Sequence, residues 1–194
     1  MKKLLLLTLL LLLGALAFAQ KNDTNAHLSS AKIKIVSGPL MNPSNDILEN
    51  ISLSPELTIL AIAIKTSGLA TTFKGSGPIT VFAPTNKAFE KFNAVKLDTL
   101  LLPAHKNELV GLLTYHVIAG KITSKDIEKQ IKANNGQAIF KTLSGGQLTA
   151  RTNENRNIVL TDENGGQSVI SKLDIQQSYG MLHIITGVLV PKSK

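Results

Sequence analysis

The chain has 194 residues, with 21 Lys plus Arg against 13 Asp plus Glu, four His, no Cys and no Trp. That length suits one domain with its own hydrophobic core, and zero cysteines exclude a disulfide framework, thiolate metal or iron–sulfur ligation, a cysteine nucleophile and a lipidated N-terminal cysteine. The formal net charge of +8 does not point to nucleic acid, because only Arg151 and Arg156 carry the planar guanidinium that suits phosphate and the lysines are scattered.

Met1, Lys2 and Lys3 form a basic tip, Leu4 to Leu13 is apolar but for Thr8, and Ala17 and Ala19 give a small-x-small ending. This is the pattern of a secretory signal peptide over residues 1–19, cut before Gln20, and the apolar stretch is shorter than the roughly 20 residues that span a bilayer. The expected mature chain is therefore secreted, extracellular or periplasmic, without a transmembrane anchor. Removing the leader takes away Lys2 and Lys3 and leaves 19 basic against 13 acidic side chains, a net charge of +6. Such a charge favours solubility and weak attraction to acidic surfaces or polysaccharide. Residues 20–37 are expected to form a polar tail or linker, in which Ile33, Ile35 and Val36 can pair as a short strand, and 38–192 a single domain.

Helical signals dominate the first half. Ser44, Asn45 and Asp46 can cap a short helix that buries Ile47, Leu48 and Ile51. Ser54, Pro55 and Glu56 look like an N-cap, a proline at the first helical position and an acid in the first turn. Beyond Leu57, the apolar positions Leu60, Ala61 and Ile64 recur at helical spacing until Gly68. Ile79 to Phe82 is a β-type run ended by Pro84, and Thr85 or Asn86 caps a helix carrying Phe89 and Phe92. Val81, Phe82, Phe89 and Phe92 are expected to share one core. Helices are also predicted over 98–102 and 104–114, and a strand over 115–118, in which Tyr115 and Val117 would face away from His116 and Ile118.

The second half changes character. After a predicted helix from Ser124 to about Lys132, turn signals recur at 134–136, 144–146, 153–157 and 162–166, about ten residues apart, between short β-type runs. That spacing predicts consecutive antiparallel hairpins. Met181 to Val190 is nearly all apolar, as expected of a strand buried on both faces. Helices first and hairpins second define an α+β chain.

Four segments resemble the fasciclin family, in particular its secreted single-domain bacterial members. Thr80-Val81-Phe82-Ala83-Pro84-Thr85-Asn86-Lys87-Ala88-Phe89 is similar to the family's first box, and Leu113-Thr114-Tyr115-His116-Val117-Ile118-Ala119-Gly120-Lys121 to its Tyr-His box. Asp174-Ile175 resembles the Asp-Ile pair, and Gly180 to Pro191 the second box, in the same order and spacing. The resemblance spans 38–191 and implies a wedge of antiparallel β-strands with several helices packed against it. It also implies cell adhesion through the Tyr-His and Asp-Ile motifs, which nominates Tyr115, His116, Asp174 and Ile175 as partner contacts. The family usually has Asn where Tyr179 stands, and this departure would put an aromatic ring on the surface.

Enzyme signatures fail. The chain has no G-x-S-x-G elbow, H-E-x-x-H helix, P-loop or dinucleotide fingerprint, and the turn at Asp162 lacks most ligand positions of a calcium loop. His116 and His183 lie among aliphatic residues, where a core histidine needs only one or two hydrogen-bond partners. Asn22 and Asn50 fit the glycosylation sequon. The expected function is non-catalytic binding of a protein or polysaccharide at a cell surface or matrix, with weak self-association and no cofactor or metal. The alternative is an extracellular polymer hydrolase or accessory module, which would need a histidine within reach of a serine and a carboxylate. A small-molecule carrier would need a closed apolar pocket.

Overall fold

A computed structural model describes residues 41–75, 77–92 and 94–192. The expected leader, tail, short strand at 33–36 and sequon at Asn22 lie outside the described residues.

Helix α1 (Ile47–Leu53) starts at a capping box. The Asp46 carboxylate accepts from the Glu49 amide at 2.8 Å, and the Glu49 carboxylate accepts from the Asp46 amide at 3.1 Å. Ser54 is the C-cap of this helix and not the N-cap of the next. Helix α2 (Thr58–Ser67) follows a turn at 55–57 and takes its cap from far along the chain. The Asn86 Oδ1 accepts from the Ile59 amide at 3.0 Å, while its Nδ2 donates to the Pro55 carbonyl and the Thr58 hydroxyl. Gly68, at φ +81°, ends α2 in the left-handed conformation that glycine adopts without steric penalty. Next come α3 (Ala70–Gly75), β1 (Ile79–Pro84), α4 (Asn86–Lys91), α5 (Ala94–Leu100), a 3₁₀ turn (Pro103–His105), α6 (Lys106–Tyr115) and β2 (Val117–Ala119). The strand predicted over 115–118 thus starts two residues late, because Tyr115 completes α6 and His116 is its C-cap.

Helix α7 (Ser124–Ala133) opens on a second capping box, between Thr123 and Asp126, and the Thr123 hydrogen bonds hold the Asp126 carboxyl below its usual range. It leads into β3 (Ala138–Lys141), β4 (Gln147–Thr152), β5 (Ile158–Thr161), β6 (Gln167–Gln177) and β7 (Gly180–Ile185). The seven strands form one sheet in the order β2-β1-β7-β6-β5-β4-β3. Strands β3 to β7 are the predicted consecutive antiparallel hairpins, but β1 and β7 pair in parallel, from Ile79 with Gly180 to Pro84 with Ile185. A bridge between Ile118 and Thr142 brings the two edges of the sheet together at one end.

Every residue of β1 and of β7 is buried, because helices cover one face of this central pair and the hairpins with α7 cover the other. Strand alternation therefore splits the expected single core. Val81 and Phe89 pack with the helices, with Phe92 against them. Phe82 points the other way, among Ile127, Leu148 and Ile185. At Gly180 a Cβ would lie 2.3 Å from the Ile79 carbonyl oxygen, so only glycine lets the two central strands approach. The last strand stops at Ile185 rather than Val190. At Gly187 the chain turns, donating its amide to the Ser168 hydroxyl at 2.8 Å, and Leu189 returns to the core.

Candidate functional site

The Tyr-His motif sits where α6 meets β2. Tyr115 is fully buried, and its phenol donates to the Gln147 carbonyl at 2.6 Å and accepts from the Glu163 amide at 3.1 Å. Burial, opposed by that amide bond and reinforced by the Glu163 and Asp162 charges, pushes its pKa up to about 12. His116 is buried too. Its Nε2 accepts from the Leu189 amide at 3.0 Å, and its Nδ1 donates to the Leu112 carbonyl at 2.9 Å. An amide can only donate, so the proton must sit on Nδ1 and the neutral tautomer is fixed. Burial lowers the His116 pKa to about 4, against the opposing pull of the Leu112 bond and the Asp162 charge.

The bond to Leu189 is one of several on the chain's final segment. The Asp162 carboxylate, at the β5–β6 turn, accepts from the Asn164 amide at 2.9 Å, the Gly166 amide at 2.7 Å and the Val190 amide at 2.9 Å. Asn164 in turn donates its side-chain amide to the Val190 carbonyl at 2.9 Å. Residues 189–191 are thereby strapped across the turn. Gly146 is required beneath it, since a Cβ there would lie 2.7 Å from both the Tyr115 ring and the Glu163 carboxylate.

This strap walls an open groove of about 690 Å³. Its helix side is Asn107, Glu108, Gly111 and Leu112 of α6, and its far side is Glu163 with the β3–β4 turn at 144–146. Phe92 and Leu100 line it with aliphatic Val190 and Pro191, and Lys192 stands at its end. The groove is open and carboxylates border it, unlike the closed apolar cavity a small-molecule carrier needs.

The Asp-Ile motif lies elsewhere. Strand β6 gains one extra residue relative to β7 between Lys172 and Ile175, and Asp174 in this bulge has φ +57°. Its carboxylate accepts from the Ser124 amide at 2.7 Å and from the Ser124 hydroxyl, anchoring the start of α7. Ile175 is buried in the helical-side core. The Asp174 amide donates to His183 Nδ1 at 3.2 Å, and His183 Nε2 donates to the Ile122 carbonyl at 3.0 Å. His183 is fully buried and stacks on Phe82, with centroids 5.7 Å apart. Ser124, Asp174 and His183 are thus neighbours without the order of a catalytic triad: the serine hydroxyl binds the carboxylate itself, and backbone atoms engage both imidazole nitrogens.

Three of the four nominated contacts, Tyr115, His116 and Ile175, are buried, and Asp174 is half-buried with its carboxylate on Ser124. No hydrogen bond among the described residues joins the Tyr-His pair to the Asp-Ile pair. Tyr179, at the tip between β6 and β7, is 64 % exposed. Asn50 is fully buried, donating to the Asn42 carbonyl and to Gln177, so the folded domain shields its sequon from glycosylation. Among the described residues, no group of three or more His, Asp or Glu could hold a metal ion, and no helix is long and apolar enough to cross a membrane.

Sequence reasoning missed Asp162 as a structural hub and the groove itself. An Asp heading a Gly-rich turn signals an Asx-type turn, but nothing local shows that it also holds Val190. The isolated Gly111 inside a helical pattern was the one local sign of the groove.

The architecture is that of the FAS1 fold. It superimposes with a TM-score of 0.67 at 19% identity on the FAS1 domain pair of the insect cell adhesion molecule Fasciclin I, over 75% of this chain and 51% of that one. The family model of the Fasciclin domain matches residues 55–191, and the chain belongs to the fasciclin family. It is 31% identical over 163 residues to Protein sll1483 of Synechocystis sp., covering 84% of this chain and 83% of that protein. It is 25% identical over 169 residues to Transforming growth factor-beta-induced protein ig-h3 of Sus scrofa, where the match takes in 86% of this chain but 22% of the relative. Immunogenic protein MPB70 of Mycobacterium bovis is 35% identical over 102 residues, half of this chain and 51% of that protein.

Proposed function

We propose that this fasciclin chain is a non-catalytic binding module, exported from the cytoplasm, that contributes to cell-surface or matrix adhesion by contacting protein or polysaccharide at the groove beside α6. The observation that carries the reading is the contrast between the groove and the histidines. The groove is open, whereas His116 and His183 are sealed and bound through both ring nitrogens to backbone atoms. Adhesion is the role named for the insect molecule that shares the fold. In this reading Tyr115 and His116 position the groove wall, and Asp174 and Ile175 hold the sheet and α7 in place. One shallow groove binds weakly, so strong attachment requires several copies on a surface or self-association.

Two measurements test the reading. Fractionating the producing cells should place the chain outside the cytoplasm. Screening the purified protein on matrix-protein and glycan arrays should show retention without turnover. Cleavage of an extracellular polymer without retention would replace adhesion with hydrolysis.

A further inference from the structure

Gly111 has no explanation within the chain. It lies in the interior of the ten-residue helix α6 with a negative φ, where glycine is less favourable than alanine because it loses more backbone freedom on folding. Nor does packing demand it, since a Cβ at this position would meet nothing within 4 Å. Gly146 across the groove is different, because a side chain there would strike Tyr115 and Glu163. What the missing side chain at Gly111 does is keep the groove clear where α6 faces it.

We propose that the groove over Gly111 is the docking site for a peptide segment of a partner protein in which a lysine or arginine is flanked by aliphatic residues. This inference rests on the reading of the chain as a binding module and names the class of partner. The partner backbone passes over Gly111, its aliphatic side chains cover Leu112 and Phe92, and its cation meets the carboxylates of Glu108 and Glu163. Charge decides against an acidic polysaccharide. Although the whole chain is basic, the groove is bordered by two glutamates against the single Lys192; Glu108 Oε1 meets His105 Nδ1 at 2.9 Å and Glu163 Oε2 accepts from the Lys192 amide at 3.4 Å, which leaves the other oxygen of each carboxylate to a partner's cation, so a polyanion would meet like charge. His116 and Asp162 are positioning residues that act through the strap forming one wall, and Tyr115 is one that acts through the Glu163 amide on the far side.

The test uses the exported chain labelled with ¹⁵N and a short acetylated peptide alternating leucine with lysine. Its controls are the counterpart with glutamate in place of lysine and an oligogalacturonate. The lysine peptide should shift the amides of Gly111 and Gly145 saturably and more weakly as salt rises, and the glutamate peptide should not. Gly111→Gln should weaken binding at least about tenfold with an unchanged or higher melting temperature, which separates blocking from unfolding. Glu108→Gln combined with Glu163→Gln should weaken binding and flatten its salt dependence.

The proposal is overturned if the lysine peptide causes no saturable shift, if Gly111→Gln binds it as well as the parent, or if the oligogalacturonate occupies the groove instead. Shifts of the same amides with protein concentration alone would assign the groove to a second copy of the chain and overturn it as well. If the peptide fails while the arrays still retain the protein, only the partner class falls. If the arrays also fail, the binding-module reading falls with it.

Discussion

His116 and His183 solve the same problem in opposite tautomers. Each accepts a backbone amide with one ring nitrogen and donates to a backbone carbonyl with the other, but His116 accepts at Nε2 and His183 at Nδ1. Their mechanical loads differ. His183 lies inside the sheet, stacked on Phe82 and holding the bulge at Asp174. His116 holds the segment after β7, through Leu189, against the groove. A buried histidine in this fold is a two-ended clamp on backbone, and its consequence depends on whether the clamped segment is interior or at the rim.

The largest test of the interior half is Phe82→Ala. It removes a fully buried ring and the stack on His183, and should cost about 3–5 kcal/mol in denaturant melts. A near-neutral result would erase the distinction between interior and rim.

The rim is tested next by pH. With a pKa of 6.5 unfolded and about 4 folded, His116 binds more protons in the unfolded chain throughout that interval. Its contribution is complete above the unfolded value and is lost as pH falls towards the folded one, at about 1.4 kcal/mol per unit and roughly 3 kcal/mol in all. Denaturant midpoints measured against pH should show this slope, and His116→Gln should flatten it. An unaltered slope would move the titration to another group. Tyr115→Phe should cost less, about 1–3 kcal/mol, by leaving the Glu163 amide and Gln147 carbonyl without the phenol. The smallest effect is Gly111→Ala, which should raise stability by about 0.5–1 kcal/mol if the groove and not the fold asks for glycine. A loss of stability in thermal melts would return Gly111 to an architectural role.

Much of the fold was legible because its determinants are local. The Asp46 cap, the Thr85 cap, the stop at Gly68 and the hairpin turns each depend on residues a few positions apart. Local pattern and structure part where a distant residue completes the structure. Ser54-Pro55-Glu56 resembles a helix start, yet α2 takes its side-chain cap from Asn86. The apolar run from Met181 to Val190 resembles one strand because Leu189 is as buried as Leu182, and periodicity does not separate a strand from a buried strap. Val81 and Phe82 read as one core because adjacency in sequence hides the alternation that sends them to opposite faces. The groove was least legible, since it is assembled from α6, two hairpin turns and the final segment.

The parallel contact between β1 and β7 also bears on how the molecule comes to be folded. These central neighbours lie about a hundred residues apart, and β1 is flanked on one side only until β7 arrives. A ribosome delivering the chain from its amino end must release it as far as β7 before β1 gains its second neighbour. Cooperative folding is thereby deferred until synthesis has passed Ile185, and a product halted before Gly180 would leave a row of apolar side chains open to aggregation or proteolysis.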